Sequence, residues 1–457
     1  MTEQGYDVVV LGAGSGGYAA ALRAAELGLT VALIESDKVG GTCLHRGCIP
    51  TKALLHAAEV ADTVREGSAL GVNATLDGID VAKINSYKDG VVSRLYRGLT
   101  GLVGGRDIEV IHGWGRLVGP DTVEVDGRRV TGKNIVLATG SYARSLPGLE
   151  IDGRVITSDQ ALAMDWVPAK AVVLGGGVIG VEFASAWRSL GADVTIVEAL
   201  PHLVPNEEEA LSKGLERAFR KRGIGYELGT RFESVTQSAE GVVVTLEGGK
   251  QLEAEVLLVA VGRGPATANL GYEEQGLTMD HGFVVVDERL RTGVGQIYAV
   301  GDITPGLQLA HRGFAHGIFV AEQIAGLEPA PVLDPSIPRV TYCEPQVASV
   351  GLTETQAREL HGDDVETLEY NLGGNGKSQI LGTAGFVKLV RAKNGPIVGV
   401  HMLGARMGEQ IGEGQLIVSW EAFPEDVAGL IHAHPTQNES IGEAALALAG
   451  KPLHSHA

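Results

Sequence analysis

The residue types best suited to chemistry lie together in one short segment, residues 40–52, which contains two of the three cysteines in a chain of 457 residues. Cys43 and Cys48 have four residues between them. A regular helix would hold their Cα atoms about 7.5 Å apart, whereas a disulfide needs them within about 7 Å. The chain must turn back between the two sulfurs if they are to bond, and Gly47 gives it the freedom to do so. The pair predicts either thiol–disulfide redox chemistry or two ordinary core thiols, and the spacing alone leaves both open.

The two sulfurs are predicted to be chemically unequal. Pro50 suits the first turn of a helix, so we expect a helix to begin at about Cys48. The dipole and the free N–H groups at such a start favour a thiolate, and Lys52 adds a positive charge one turn further on. We therefore expect Cys48 to form the thiolate and Cys43, outside that turn, to be the sulfur that meets a substrate.

A second cluster of reactive residue types lies near the C-terminus, in residues 431–439. Pro435 keeps His434 out of helical geometry, which leaves the ring free to project from a turn. Glu439 is close enough in sequence to orient the imidazole. Thiol–disulfide exchange needs a proton acceptor, and histidine suits that role near neutral pH. The alternative is a turn histidine followed by a helix-capping glutamate.

The elements expected to position these residues begin with a nucleotide-binding pattern. A Val-rich strand, Tyr6–Leu11, is followed by the glycines Gly12, Gly14 and Gly17. A helix and a second strand, which ends at Glu35, come next. The first glycine allows a tight turn, the second lets a pyrophosphate approach the backbone, and the third lets helix and strand pack closely. The helix N-terminus can bind the phosphates, and the glutamate can accept from a ribose hydroxyl.

The same pattern returns 163 residues later as an internal repeat. Its glycines are Gly175, Gly177 and Gly180, and its acidic strand end is Glu198. In both units the first glycine and the final glutamate are 23 positions apart. Two such βαβ units predict two dinucleotide sites in one chain. Glu198 would repel a 2′-phosphate, so we expect the second site to prefer NAD over NADP.

Composition and charge exclude several classes of function. The net charge of −19 at pH 7 argues against a nucleic-acid or membrane-surface role, since both need clustered positive charge. No apolar run approaches the length of a membrane span, and the first residues lack the pattern of a signal peptide. Three cysteines form neither a secreted disulfide framework nor a zinc-binding pattern. We therefore expect a cytoplasmic protein without a metal site.

Over its whole length the chain resembles the flavoprotein disulfide reductases, which are the class I pyridine nucleotide-disulfide oxidoreductases. The resemblance is carried by both glycine patterns and, in order, by Gly-Gly-Thr-Cys-Leu-His-Arg-Gly-Cys-Ile-Pro-Thr-Lys at 40–52, Val300-Gly301-Asp302 and His434-Pro435. It implies an α/β fold with two Rossmann-like dinucleotide-binding domains and a C-terminal α+β interface domain. It also implies FAD at the first glycine pattern and NAD at the second.

The resemblance further implies a division into domains and a pairing of subunits. The interface domain would join two chains in a homodimer, and His434 and Glu439 would serve the cysteine pair of the partner subunit. The implied segments are an FAD-binding domain at 1–147, an NAD-binding domain at 148–270, a segment completing the FAD domain at 271–339, and the interface (dimerisation) domain at 340–457.

Individual site residues follow from the resemblance by position. It implies that Lys52 lies near the flavin and pairs with Glu182. It implies further cofactor contacts at Gly115, Asp302 and Ala310 for FAD and at Glu198, Gly262 and Arg263 for NAD. Four positions depart from the commoner family pattern, and of these His316 is expected to alter contacts at the flavin edge and Ala266 a loop hydrogen bond. The other two departures are His45 and Arg46, between the cysteines.

The redox segment is most similar to that of the family members that oxidise protein-bound dihydrolipoamide and reduce NAD, as the shared component of 2-oxo acid dehydrogenase complexes. The expected partner is then the lipoyl-bearing acyltransferase subunit of such a complex. One alternative is a glutathione- or mercuric-reductase-like enzyme, although the former typically takes NADP and the latter needs a C-terminal cysteine pair that this sequence lacks. Another alternative is a docking subunit of the complex.

Overall fold

The computed structural model describes residues 5–454, and its first unit is a sheet flanked by helices, parallel except for its fourth and fifth strands, which are antiparallel and lie at one edge. Its elements are β1 (Tyr6–Leu11), α1 (Ser15–Glu26), β2 (Val31–Glu35), α2 (Gly41–His45), α3 (Cys48–Glu66), α4 (Val81–Gly104), β3 (Glu109–His112), β4 (Gly115–Gly119), β5 (Thr122–Val125) and β6 (Arg128–Leu137). Strand β1 lies between β2 and β6, with Val9 opposite both Ala32 and Ile135. These three side chains are fully buried, as expected for parallel strands covered on both faces.

The second unit repeats this arrangement in the middle of the chain. Its elements are β7 (Ser141–Ala143), β8 (Val155–Ile156), α5 (Ser158–Ala163), β9 (Lys170–Leu174), α6 (Val178–Ser189), β10 (Asp193–Glu198), α7 (Glu209–Arg222), β11 (Gly225–Leu228), β12 (Phe232–Gln237), β13 (Val242–Leu246), β14 (Gln251–Ala254), β15 (Val256–Val259) and β16 (Arg263–Pro265). Its parallel sheet has the order β11-β10-β9-β15-β8, and β12-β13-β14 form a separate antiparallel sheet. The predicted repeat extends to the register, because Ala171 faces Val194 as Val8 faces Val31.

A third stretch returns the chain to the first sheet. It contains β17 (Met279–Asp280), β18 (Phe283–Val284), β19 (Ile297–Ala299) and α8 (Ala310–Ile324). Strand β19 pairs in parallel with β6. After it, Gly301 takes a φ of +69° and opens a 3₁₀ turn, Gly301–Ile303, because this left-handed conformation is available to glycine and ends the strand. Helix α8 packs closely on α1, since a Cβ at Gly317 would lie 2.3 Å from the Gly16 carbonyl oxygen.

The C-terminal domain is an antiparallel sheet with helices packed against it. Its elements are β20 (Arg339–Thr341), β21 (Gln346–Gly351), α9 (Glu354–His361), β22 (Val365–Asn371), α10 (Gly376–Leu381), β23 (Phe386–Ala392), β24 (Ile397–Gly404), α11 (Met407–Ser419), α12 (Pro424–Ala428) and α13 (Glu439–Leu448). The strand order is β20-β21-β24-β23-β22, and buried residues of α11 and α13, among them Ile411 and Ile441, share its core. The predicted fold class, two nucleotide-binding α/β units and an α+β domain, is confirmed.

Within residues 5–454, the length and hydropathy of the helices are insufficient for any of them to span a bilayer. The boundaries expected at 147, 270 and 339 remain predictions.

Candidate redox centre and nucleotide sites

The cysteine segment folds as two helices separated by a turn. Gly40, with a φ of +110°, precedes the short helix α2, which contains Cys43. The chain turns at Gly47, where a Cβ would lie 3.1 Å from the Thr42 carbonyl oxygen, and Cys48 then opens α3. The second cysteine therefore begins a helix, as the sequence predicted, and the first lies in a short helix of its own.

The two thiols are free and lie near each other. The interaction with the Cys43 thiol and the charge of Lys52 together lower the pKa of Cys48 to about 7, against the effect of burial. The same interaction between the two thiols, together with burial, raises the pKa of Cys43. Near neutral pH Cys48 is thus the sulfur that forms a thiolate, while Cys43 keeps its proton.

A buried ion pair lies one helical turn beyond Cys48. Lys52 Nζ is 2.8 and 3.0 Å from the two carboxylate oxygens of Glu182, whose side chain is 3% exposed. Burial lowers the pKa of Lys52 and Glu182 raises it, with a net rise, so the ammonium stays charged. Glu182 also accepts a 2.8 Å hydrogen bond from the N–H of Tyr342, whose ring centroid is 4.7 Å from Lys52 Nζ. Sequence reasoning missed Tyr342, because it lies 160 residues from Glu182 and in no recognisable motif.

The first glycine pattern forms a cradle of the kind a dinucleotide requires. A Cβ at Gly12 would lie 2.4 Å from the Ala138 carbonyl oxygen, and one at Gly17 would lie 1.8 Å from that of Gly12. Nothing lies within 4 Å of the Cβ position of Gly14, whose face is open at the start of α1. Glu35 accepts a 2.8 Å hydrogen bond from the Ala13 N–H, which holds its carboxylate beside this opening. The pattern therefore fits a pyrophosphate at the helix start and a ribose at the glutamate.

The second glycine pattern has the same geometry. Cβ atoms at Gly175 and Gly180 would lie 2.4 Å from the Ala260 carbonyl oxygen and 1.9 Å from the Gly175 carbonyl oxygen, respectively. The Cβ position of Gly177 is open, and Glu198 accepts a 2.7 Å hydrogen bond from the Gly176 N–H. The second unit therefore also fits a dinucleotide.

Asp302, expected at the FAD site, and Arg263, expected at the NAD site, are both hydrogen-bonded to Ser141. Ser141 donates a 2.6 Å hydrogen bond to Asp302 Oδ2 and accepts one of 2.7 Å from Arg263 Nε. Strand β16, which carries Arg263, pairs with β7, which carries Ser141. The structure thus connects Arg263 to the residue expected at the FAD site. Ser141 is a further candidate that motif reading missed, although it directly follows the turn at the end of β6.

The remaining expected cofactor contacts lie around these units. Gly115 begins β4, where a Cβ would lie 2.5 Å from a Leu11 side-chain carbon, so close packing against β1 requires a glycine. Ala310 is the first residue of α8. Gly262 takes a φ of +102° and accepts a 3.0 Å hydrogen bond from the Arg144 N–H.

The histidine of the C-terminal segment has a carboxylate partner. His434 Nδ1 lies 2.8 Å from Glu439 Oε1, and the His434 side chain is 77% exposed. Burial raises the pKa of Glu439, but hydrogen bonds from the Thr436 N–H and from His434 lower it overall. No hydrogen bond among the described residues joins this pair to Cys43 or Cys48. Within one chain the histidine is therefore paired with the glutamate and faces solvent.

Comparison with known proteins identifies the family. Residues 6–317 match the family described as pyridine nucleotide-disulphide oxidoreductase, and residues 337–445 match its dimerisation domain. The chain belongs to this family. A dihydrolipoyl dehydrogenase of Bacillus subtilis is 40% identical over 98% of this chain and 99% of its own length. A mitochondrial dihydrolipoyl dehydrogenase of Pisum sativum is 39% identical over 98% of this chain and 92% of its own length.

Solved structures agree with this assignment. The crystal structure of LpdA from Mycobacterium tuberculosis is similar with a TM-score of 0.89 at 27% identity, covering 96% of this chain and 99% of that one. As a pyridine nucleotide-disulphide oxidoreductase, the chain is a flavoprotein enzyme whose cofactors are FAD and NAD, as predicted. Its C-terminal domain is a dimerisation domain.

The four departures from the family pattern each have a local partner in the structure. His316 is buried and accepts a 3.3 Å hydrogen bond from the Gly301 N–H; burial and then Arg312 lower its pKa to about 4, so the ring is neutral. The other three contacts are His45 Nε2 to the Val39 carbonyl oxygen at 2.9 Å, Arg46 to Asp37 at 2.7 Å, and the Ala266 N–H to the Gly140 carbonyl oxygen at 2.9 Å.

Proposed function

We propose that this oxidoreductase is a dihydrolipoyl dehydrogenase, which oxidises protein-bound dihydrolipoamide to lipoamide and reduces NAD to NADH. The observation that carries the proposal is that Cys43 and Cys48 lie near each other beside Lys52 and that the pKa of Cys48 is lowered while that of Cys43 is raised. The relatives of that name, 40% and 39% identical over nearly the whole chain, support the substrate class. Glu198 at the end of β10 supports NAD over NADP, which disfavours a glutathione-reductase-like enzyme.

The sulfur chemistry follows from the inequality of the two cysteines. One substrate thiolate attacks the Cys43 sulfur of the oxidised pair, a mixed disulfide forms, and Cys48 leaves as a thiolate. The second substrate thiol then displaces Cys43, so the substrate leaves as the cyclic disulfide and the enzyme holds two thiols. The Lys52 ammonium stabilises the Cys48 thiolate. When bound, FAD supplies the two-electron carrier between this thiol pair and the nicotinamide.

Proton transfer is assigned to the histidine of the dimerisation domain. His434 takes a proton from the substrate dithiol at Nε2, since Nδ1 faces Glu439. Glu439 fixes the ring and stabilises the imidazolium, because its carboxylate is itself held by the Thr436 N–H. The imidazole is exposed in one chain, which supports a homodimer in which it faces the cysteine pair of the partner subunit.

The cofactor sites are assigned to the two glycine patterns and the residues joined to them. Lys52 and Glu182 act at the cysteine end of the flavin site. For FAD we assign Gly12, Gly14, Gly17, Glu35, Gly115, Asp302 and Ala310, with Ser141 added from its hydrogen bond to Asp302. For NAD we assign Gly175, Gly177, Gly180, Glu198, Gly262 and Arg263.

The physiological partner is proposed to be the lipoyl-bearing acyltransferase subunit of a 2-oxo acid dehydrogenase complex, in the cytoplasm. A thiol pair that cycles between oxidised and reduced forms suits a compartment in which structural disulfides are rare. The domains are proposed to divide at 147, 270 and 339, with 271–339 completing the FAD domain because β19 pairs with β6.

The test is NADH formation from dihydrolipoamide by the FAD-loaded protein. Cys48→Ser removes the thiolate and is expected to lower turnover by at least about 10³-fold, because no internal disulfide can form. Cys343→Ser removes the remaining cysteine, which is buried and contacts the Pro345 carbonyl oxygen, and is expected to keep turnover within about twofold. Full NADH formation by Cys48→Ser would exclude the proposed chemistry. No NADH formation by the FAD-loaded wild-type protein would instead leave the docking-subunit alternative.

A further inference from the structure

Tyr342 connects the dimerisation domain to the cysteine centre, and the proposed mechanism gives it no role. It directly follows β20, and its N–H donates to Glu182 at 2.8 Å. Its ring centroid lies 4.7 Å from Lys52 Nζ. A cation within about 6 Å of an aromatic face is attracted by the ring quadrupole, most strongly where water is excluded.

Tyr342 is held by two contacts, one from α6 and one from the dimerisation domain. On one side, the hydrogen bond to Glu182 holds the backbone of the residue. On the other side, Gly408 of α11 lies so close that a Cβ there would be 3.4 Å from the ring Cε1. The Gly408 N–H is in turn held at 2.9 Å by Gln346 Oε1 of β21. These contacts place the Tyr342 ring beside the Lys52 ammonium, 4.7 Å from the ring centroid.

Lys52 and its partner Glu182 have opposite effects on Cys48, so the position of the ammonium matters. Both oxygens of Glu182 contact the ammonium, and the carboxylate raises the pKa of Cys48 while the ammonium lowers it. The effect on the thiolate thus depends on where the ammonium sits. The titratable and charged groups that face Cys48 from the surrounding elements are Tyr18, Cys43, Lys52, Glu182, Arg263 and Tyr342.

We propose that Tyr342 is a positioning residue, whose ring keeps the Lys52 ammonium beside Cys48 so that the dimerisation domain controls how readily the thiolate forms. The inference rests on the proposed function only for its effect on turnover. Its direct consequence, the reactivity of one thiol, can be measured without substrate or NAD.

The experiment compares Tyr342→Leu, Tyr342→Phe and the wild-type protein after each has been reduced with a dithiol. The rate of iodoacetamide alkylation at Cys48 is measured as a function of pH by mass spectrometry. Tyr342→Leu removes the ring but keeps the backbone N–H. It is expected to raise the apparent pKa of Cys48 and to slow alkylation about threefold below the midpoint. Tyr342→Phe keeps the ring and is expected to match the wild type.

Two further variants serve as a control and as a second test of the ring. Tyr226→Leu is the matched control, because it removes a comparable cation–aromatic contact, in which Arg220 lies 5.6 Å from the ring centroid. The pH dependence of alkylation at Cys48 is expected to be unchanged in this variant. A fluorinated phenylalanine at position 342 keeps the shape of the ring but weakens its attraction for a cation, so it folds even if the leucine variant does not. A wild-type alkylation profile for this variant would overturn the proposal. A profile shifted to higher pH would support it, whether or not the protein oxidises dihydrolipoamide.

Discussion

Glu182→Gln separates the structural and electrostatic effects of the buried ion pair, because it removes the charge and keeps nearly the same shape. Glu182 is 2% exposed and accepts three hydrogen bonds, two from Lys52 Nζ and one from the Tyr342 N–H. Removing one member of a buried ion pair costs about 3–5 kcal/mol. The amide oxygen can still accept from Tyr342, and the Lys52 side chain is 33% exposed, so we expect a loss of about 2 kcal/mol in the free energy of unfolding.

The same substitution is expected to make Cys48 more acidic. Its pKa of about 7 reflects the interaction with the Cys43 thiol and the charge of Lys52, against burial and the charge of Glu182. Without the Glu182 charge, the ammonium acts alone, and the pKa should fall by up to about one unit. A folded-state pKa below the ordinary value of 9.0 stabilises the fold at high pH, and this contribution is lost as the pH falls through about 7. In Glu182→Gln this loss of stability should occur at a lower pH than in the wild-type protein.

The assays are thermal or denaturant unfolding for stability and alkylation against pH for the Cys48 pKa. Glu208→Gln is the matched control, because Glu208 is a similarly buried carboxylate, 2.7 Å from Lys388, and it has no hydrogen bond to either cysteine. It should lower stability by a similar amount and leave the Cys48 pKa unchanged. An unchanged or raised Cys48 pKa in Glu182→Gln would refute the reasoning, and so would the same pKa change in Glu208→Gln.

Two further predictions concern the base and the second nucleotide site. His434→Gln should retain FAD and the dimer but lose at least about 100-fold in dihydrolipoamide turnover, measured by NADH absorbance, and wild-type turnover would mean that the histidine only shapes the turn. Gly180→Ala should weaken NAD binding and lower the melting temperature, since its Cβ would lie 1.9 Å from the Gly175 carbonyl oxygen. Gly177→Ala, at an open Cβ position, should weaken NAD binding in a titration but melt like the wild type; a melting temperature as low as that of Gly180→Ala would contradict this assignment.

Much of the fold could be predicted because its signals are local. The spacing of Gly12, Gly14 and Gly17 is set by close approaches within one turn, and the repeated pattern at Gly175 keeps the same strand register. Pro50 marked the start of α3 at Cys48 by a rule that involves only neighbouring residues. Such features need no knowledge of the rest of the chain.

Contacts between residues distant in sequence could not be predicted from local patterns. The pairing of Lys52 with Glu182 came from family resemblance and is present in the structure, but nothing in the chain predicted that Tyr342 completes it. Arg263 was expected at the NAD site, yet its side chain contacts Ser141, which binds Asp302. Motif reading treats each site separately and so misses residues shared between two.

The sequence by itself determined two nucleotide-binding units, an unequal pair of cysteines and a histidine with a carboxylate partner, because each depends on residues a few positions apart. Only the tertiary structure decided which residues surround the Cys48 thiolate and which domains those residues come from. Those contacts join residues more than 100 positions apart, so they exist only once the sheets and helices of all the units have packed together.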